Sequence, residues 1–156
     1  MNSFLLVFPN GEYFRHDKPT LSLSVVCIPG AGRLDEATAL ALAQLLRHRG
    51  IGAIAEKADA LSMSKLFSLE LANTALICVC YLSQPSTAKI QHAVRGLSRR
   101  IDETRILLAL LGTEAAKPVG GASNPLVASG SFGAALEAIV QVTSEQPVRA
   151  KIAATA

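Results

Sequence analysis

The sequence predicts a single doubly wound α/β domain, a parallel five-stranded sheet of order 2-1-3-4-5 with helices on both faces. Three observations carry this expectation. Apolar segments of strand length alternate with amphipathic segments of helix length between residues 21 and 143. The inner apolar segments (LSLSVVCI, TALICVCYL, RILLALL) are close to continuous rather than alternating, as strands covered on both faces require. The connections are short, so right-handed crossovers stack the helices above and below one sheet. A chain of 156 residues suits one domain and buries roughly 68–70% of its unfolded surface, with no need of a disulfide or structural metal.

Residues 1–20 read as an N-terminal arm or hairpin, because the apolar stretch at 4–8 is followed by Pro9-Asn10-Gly11, and Asn-Gly between hydrophobic runs signals a turn. The domain proper, 21–143, begins with a strand over 21–28 that Pro29-Gly30-Ala31-Gly32-Arg33 interrupts. A helix over 34–49 follows, with Asp35 and Glu36 at its start and Arg47, His48 and Arg49 at its end, the arrangement that suits the helix dipole. Gly50 stops it. A short strand over 51–56 leads to a short helix capped by Ser62 or Ser64 and ending near Leu69. The strand over 74–82 is apolar throughout, the pattern of a central position. After the loop at 83–86, an amphipathic helix over 87–99 precedes the fourth strand at 105–111. A looser run over 112–125 leads to a brief edge strand at 126–129 and a helix at 132–143; residues 144–156 lack a hydrophobic period and read as a flexible tail.

Hydrophobic residues make up 50% of the chain and charged residues 17%. Such apolar content follows from strands buried on both faces, from apolar surface covered by a partner, or from both. The net charge is +3, with arginines grouped at 47/49 and 95/99/100/105. Both groups read as solvated helix ends; with 4% aromatic residues and no Trp, the stacking platforms of a single-strand nucleic-acid binder are missing, so no nucleic-acid partner is expected. Cys27, Cys78 and Cys80 all fall within predicted strands, and the Cys78-Val79-Cys80 spacing directs two thiols to one face of the sheet. Buried reduced thiols are expected, which places the chain in the cytoplasm. No apolar run approaches the ~20 residues that span a bilayer, so no direct bilayer insertion is expected, and residues 1–9 lack a basic n-region and a cleavage-type motif.

The order reversal between strands 1 and 3 opens a crevice beyond their carboxyl ends, and that is where a ligand would sit. Gly30, Gly32 and Arg33 lie at one end, Ser83, Ser86 and Thr87 at the other. The glycines permit a close backbone approach, and the hydroxyls stand near a helix N-terminus that can hold an anion. The same residues also suit tight turns and N-caps with no ligand at all. Asp35 stands where the dinucleotide fingerprint has its third glycine, and no Walker lysine follows. His16, His48 and His92 adjoin no nucleophile in an elbow motif, and no paired Cys or His spacing suggests a metal. No catalytic residue, metal or cofactor is therefore implied.

The order of elements resembles the flavodoxin-like receiver domains of response regulators and the cobalamin-binding domain. The receiver's acidic cluster is replaced by Pro29-Gly30, and its acceptor Asp by Tyr81-Leu82-Ser83. LLRHRGIGAIAEKADALS and Gly120-Gly121 are similar to passages of the cobalamin-binding domain, whose D-x-H-x-x-G loop is missing here, the stretch from Gly30 reading GAGRLD. A closer similarity is to a cytosolic domain attached to some permeases of the autoinducer-2 exporter family. It rests on GRLDEATALALAQLL (32–46), VCYL (79–82), VRGLSRR (94–100) and RILL (105–108), and spans about residues 21–143. That resemblance implies an accessory or regulatory role at the inner face of a membrane and assigns no catalytic residue. With the absent catalytic sets and the high apolar content, the leading expectation is a non-catalytic regulatory or interaction domain, a homodimer that belongs to or works with a membrane transporter. The alternative is a sensor of a nucleotide, flavin or corrinoid-like molecule at the strand 1/strand 3 crevice.

Overall fold

The computed structural model describes residues 24–102, 105–112 and 125–154. The expected arm at 1–20 and the glycine pair Gly120-Gly121 lie outside the described residues. The elements run β1 (Ser24–Pro29), α1 (Arg33–His48), β2 (Gly52–Ala55), α2 (Met63–Leu66), β3 (Thr74–Tyr81), α3 (Thr87–Ser98), β4 (Ile106–Leu111), β5 (Leu126–Gly130) and α4 (Phe132–Ala154). All neighbouring strands pair in parallel in the order β2-β1-β3-β4-β5, the predicted topology.

Strand periodicity divides the core into two layers. Val25, Cys27, Leu76, Cys78, Cys80, Leu107, Ala109 and Leu111 face α1 and α4, where Leu42, Leu46, Leu136 and Ile139 meet them. Val26, Ile28, Ile77, Val79, Tyr81, Ile106, Leu108 and Leu110 face the other way, onto Leu66, Ile90, Val94 and Leu97 of α2 and α3. Every residue of β3 and β4 is buried, which accounts for their unbroken apolar runs. The connection from β1 to β2 runs through α1 on one face, and that from β3 to β4 through α3 on the other. This change of face is what an order reversal at β1 produces when crossovers keep one hand.

Local chemistry explains the boundaries. α1 closes in a Schellman motif: Gly50 N–H donates to the Arg47 carbonyl at 3.0 Å, and Ile51 N–H to that of Leu46 at 2.9 Å. Gly50 adopts φ +79°, the left-handed conformation that motif requires and that a Cβ disfavours. Ile51 then packs on the α1 layer of the core.

One expectation changes. The backbone from Ser144 onward, expected as a tail, is helical to Ala154, because α4 continues past Thr143. Helix continuation needs good helix formers rather than an apolar stripe, and seven of the eleven residues from Ser144 to Ala154 are Ala, Glu, Gln, Lys or Arg; Pro147 removes one backbone donor without ending it. Three of the arginines read as solvated helix ends also secure backbone carbonyls, Arg47 and Arg100 while remaining exposed. Arg47 Nε donates to Ala53 at 2.6 Å, tying α1 to β2, and Arg100 Nη1 donates to Leu66 at 2.5 Å, tying the end of α3 to α2. Arg105 donates to the carbonyls of Thr74 and Ala75, holding the start of β4 to that of β3.

Candidate functional site

At the carboxyl ends of β1 and β3, where the sequence places the crevice, Asp35 ties the two chain segments together. Gly32 is the N-cap of α1, in extended conformation, and has no side chain to offer the first turn. Asp35, in that first turn, accepts instead from N–H groups outside the helix. Its Oδ2 accepts from Ala31 N–H at 2.9 Å, and its Oδ1 reaches across to Leu82 N–H at 2.8 Å, so one carboxylate joins the β1–α1 loop to the end of β3. The side chain is buried, at 7% exposure. Glu36, the next residue, accepts from Ala58 N–H at 2.9 Å and holds the β2–α2 loop to the same helix start. A negative charge belongs at a helix N-terminus and strengthens such hydrogen bonds. Two of the N–H groups that line this crevice are therefore already satisfied by an anion from the chain itself.

Gly30 and Tyr81 form the other wall. Gly30 N–H donates to Cys80 at 2.9 Å, extending the β1–β3 ladder by one residue. The Tyr81 ring lies across Gly30 so closely that a Cβ there would fall 2.0 Å from its Cε1. Tyr81 is 2% exposed, and its hydroxyl has no hydrogen-bond partner among the described residues. Burial first, and the Asp35 charge second, push its phenol up to about 12.

The six residues expected to line a ligand divide accordingly. Gly30, Gly32 and Arg33 share the β1–α1 loop and the first turn of α1, and Asp35 brings that loop against Leu82, the neighbour of Ser83. Arg33 and Ser83 are exposed. Ser86 is committed elsewhere: its hydroxyl caps α3 by accepting from Lys89 N–H at 3.3 Å, and Thr87 is the exposed first residue of that helix. The residues that organise the crevice, Asp35 and Tyr81, were not among those six. A carboxylate three positions after a glycine N-cap, and one polar aromatic ending an apolar strand opposite a glycine, were the available signals.

The cysteines form a buried trio on the α1 side of the sheet. Cys27 is the register partner of Cys78, and the Sγ atoms of Cys78 and Cys80 are 3.9 Å apart, so the CxC thiols do share a face. All three are free and buried. The hydrogen bond to Cys80, then burial, pushes the Cys27 thiol well up. For Cys80 a hydrogen bond with Cys27 pulls down, but its bond with Cys78 and burial together raise it well up. Cys78 is also raised, burial and Cys27 outweighing the pull of its bond with Cys80. Neutral, inaccessible thiols are poor nucleophiles. In native buffer a thiol-exchange reagent is expected to label none of the three, and in guanidinium all three; rapid labelling of the folded protein would contradict the packing.

The phenol makes a second measurable statement. Its folded value, about 12, lies above the ordinary 10.0, so the neutral phenol contributes stability that is complete below pH 10 and is lost as pH rises through 12. The raised thiols act with the same sign above pH 9.0. Phenolate absorbance of the folded protein should show a late-titrating component that Tyr81→Phe abolishes. Loss of an early component instead would mean that the ring is solvated.

Among the described residues no group of three or more His, Cys, Asp or Glu is placed to hold a metal ion. No described helix is long and apolar enough to cross a membrane. His48 and His92 are both exposed. No family profile, curated protein or solved structure matches the chain.

Proposed function

We propose that this chain is a non-catalytic regulatory or protein-interaction domain, homodimeric and associated with a membrane transporter. The observation that supports the non-catalytic reading is Asp35, whose carboxylate accepts from the Ala31 and Leu82 N–H groups at the switch point, donors that a ligand's anion would otherwise use. Leu34, 71% exposed, and Leu82, also exposed, add apolar surface beside that crevice where a polar substrate would want donors. The transporter association rests on the sequence similarity at 32–46, 79–82, 94–100 and 105–108.

A second reading, a sensor of a nucleotide, flavin or corrinoid-like molecule at the same crevice, is favoured by one feature. The buried Tyr81 hydroxyl has no partner among the described residues, and a ligand acceptor would supply one. Light scattering after size exclusion and a thermal-shift panel of those three ligand classes decide between them. A mass of two chains with no shift at millimolar ligand supports the interaction domain. A monomer overturns it, and a reproducible shift replaces it with the sensor. Cross-linking in native membranes should then recover a multi-span permease, and its absence would remove the transporter from the proposal.

A further inference from the structure

We propose that the outer face of α3 is a peripheral docking surface for an anionic lipid bilayer. Between Glu70 and Asp102 the sequence contains no carboxylate, while Lys89, His92, Arg95, Arg99 and Arg100 all fall there. The helix presents most of these in one direction. At 3.6 residues per turn, His92, Arg95 and Arg99 lie within about 60° of one another, with Lys89 on their flank. They stand opposite Ile90, Ala93, Val94 and Leu97, the buried residues of the helix. Lys89, His92, Arg95 and Arg99 are exposed, and none enters an ion pair among the described residues. Arg100, by contrast, is bound to the Leu66 carbonyl and does not belong to the row.

That same bond, with Leu66 packed over Gly96 of α3, sets α2 beside α3 in one helical layer. Met63 opens α2 and Phe67 is its C-cap; they are exposed at 64% and 61% and lie about one helical turn apart. A cationic row next to exposed large apolar side chains is the composition that binds at a charged membrane interface, the charges meeting lipid phosphates and the apolar groups entering the headgroup layer. A single-strand nucleic-acid surface would instead interleave its cations with several aromatic platforms; α3 has no Phe, Tyr or Trp, and Phe67 is the one aromatic among the exposed large hydrophobic residues described. The surface needs no transporter, so it stands or falls apart from the function proposed above.

The test is co-sedimentation of the full chain with vesicles of phosphatidylcholine alone, or with phosphatidylglycerol at roughly a third of the lipid. Binding to the anionic vesicles only, weakening as salt rises, is expected. Arg95→Gln with Arg99→Gln should lower the partition coefficient about 25-fold, at about fivefold per basic residue near the surface. Met63→Ser with Phe67→Ser should remove the binding that survives high salt. Both pairs are exposed, and an unchanged melting temperature shows that the fold is intact. Failure to bind anionic vesicles at low salt overturns the proposal, as does equal binding by the arginine variant. Tighter binding to a single-stranded oligonucleotide or an acidic polypeptide than to vesicles would also overturn it, by making the row a general polyanion site.

Discussion

Gly30→Ala is expected to destabilise this domain by about 1–3 kcal/mol, the usual range for overpacking a filled core. For a chain of this size that lowers the melting temperature by roughly 3–10 °C. The reason is space rather than backbone conformation, since Gly30 is not among the glycines with positive φ. A methyl group there would lie 2.0 Å from Tyr81 Cε1, 2.3 Å from Cδ1 and 2.5 Å from Cζ, so the ring must leave its site. The ring belongs to a core layer with Ile28, Val79 and Leu110, and displacing it exposes apolar surface and disturbs the end of β3. Thermal melts of Gly30→Ala, Tyr81→Ala and the double variant give the coupling directly. The double variant should cost much less than the sum of the two single ones, because the ring that the methyl strikes is then gone. A Gly30→Ala protein that melts with the parent would show that the ring does not rest there. Tyr81→Phe carries the opposite sign. It keeps the ring and removes a buried hydroxyl without a partner, and should leave stability unchanged or raised by about 1 kcal/mol.

The sequence conveys the sheet better than the site, and the residues show why. A strand buried on both faces must be apolar at every position, so β3 and β4 announce both their existence and their central place. Short links and crossover handedness then leave few orders for five strands. Helix ends were readable where one residue dictates one conformation, as Gly50 does after α1. The site was harder because its contacts are distant in sequence. Asp35 and Leu82 are 47 residues apart, and Glu36 and Ala58 are 22 apart; nothing local distinguishes a carboxylate that serves the helix dipole from one that also spans two loops. The carbonyls that Arg47, Arg100 and Arg105 hold are illegible for the same reason, since they belong to other elements. Ser86 was readable as a cap, and that is the role its hydroxyl fills.

Asp35→Ala is expected to have the largest effect of any polar substitution at the crevice, about 2–4 kcal/mol, through loss of two charge-assisted hydrogen bonds. The Ala31 and Leu82 N–H groups would be left facing each other without an acceptor, and the β1–α1 loop would lose its tie to β3. Asp35→Asn should behave nearly as badly. An amide has one acceptor oxygen, so it satisfies one N–H and turns its own donors toward the other. Glu36→Gln is the matched control: only Oε2 is engaged, by Ala58 N–H, and a glutamine oxygen can replace it, so a loss well under 1 kcal/mol is expected. Denaturant unfolding measures all three, and equal losses at 35 and 36 would contradict the bridging geometry. Acetate sharpens the test, because it restores the missing carboxylate without the side chain. If Asp35 occupies an anion cradle, acetate or phosphate at about 0.1 M should raise the melting temperature of Asp35→Ala and leave the parent unmoved, ordinary mass action on a site that only the variant leaves open. A parent protein stabilised as strongly by phosphate would mean that the cradle accepts an external anion despite Asp35, and the case for a closed, non-catalytic crevice would fail with it.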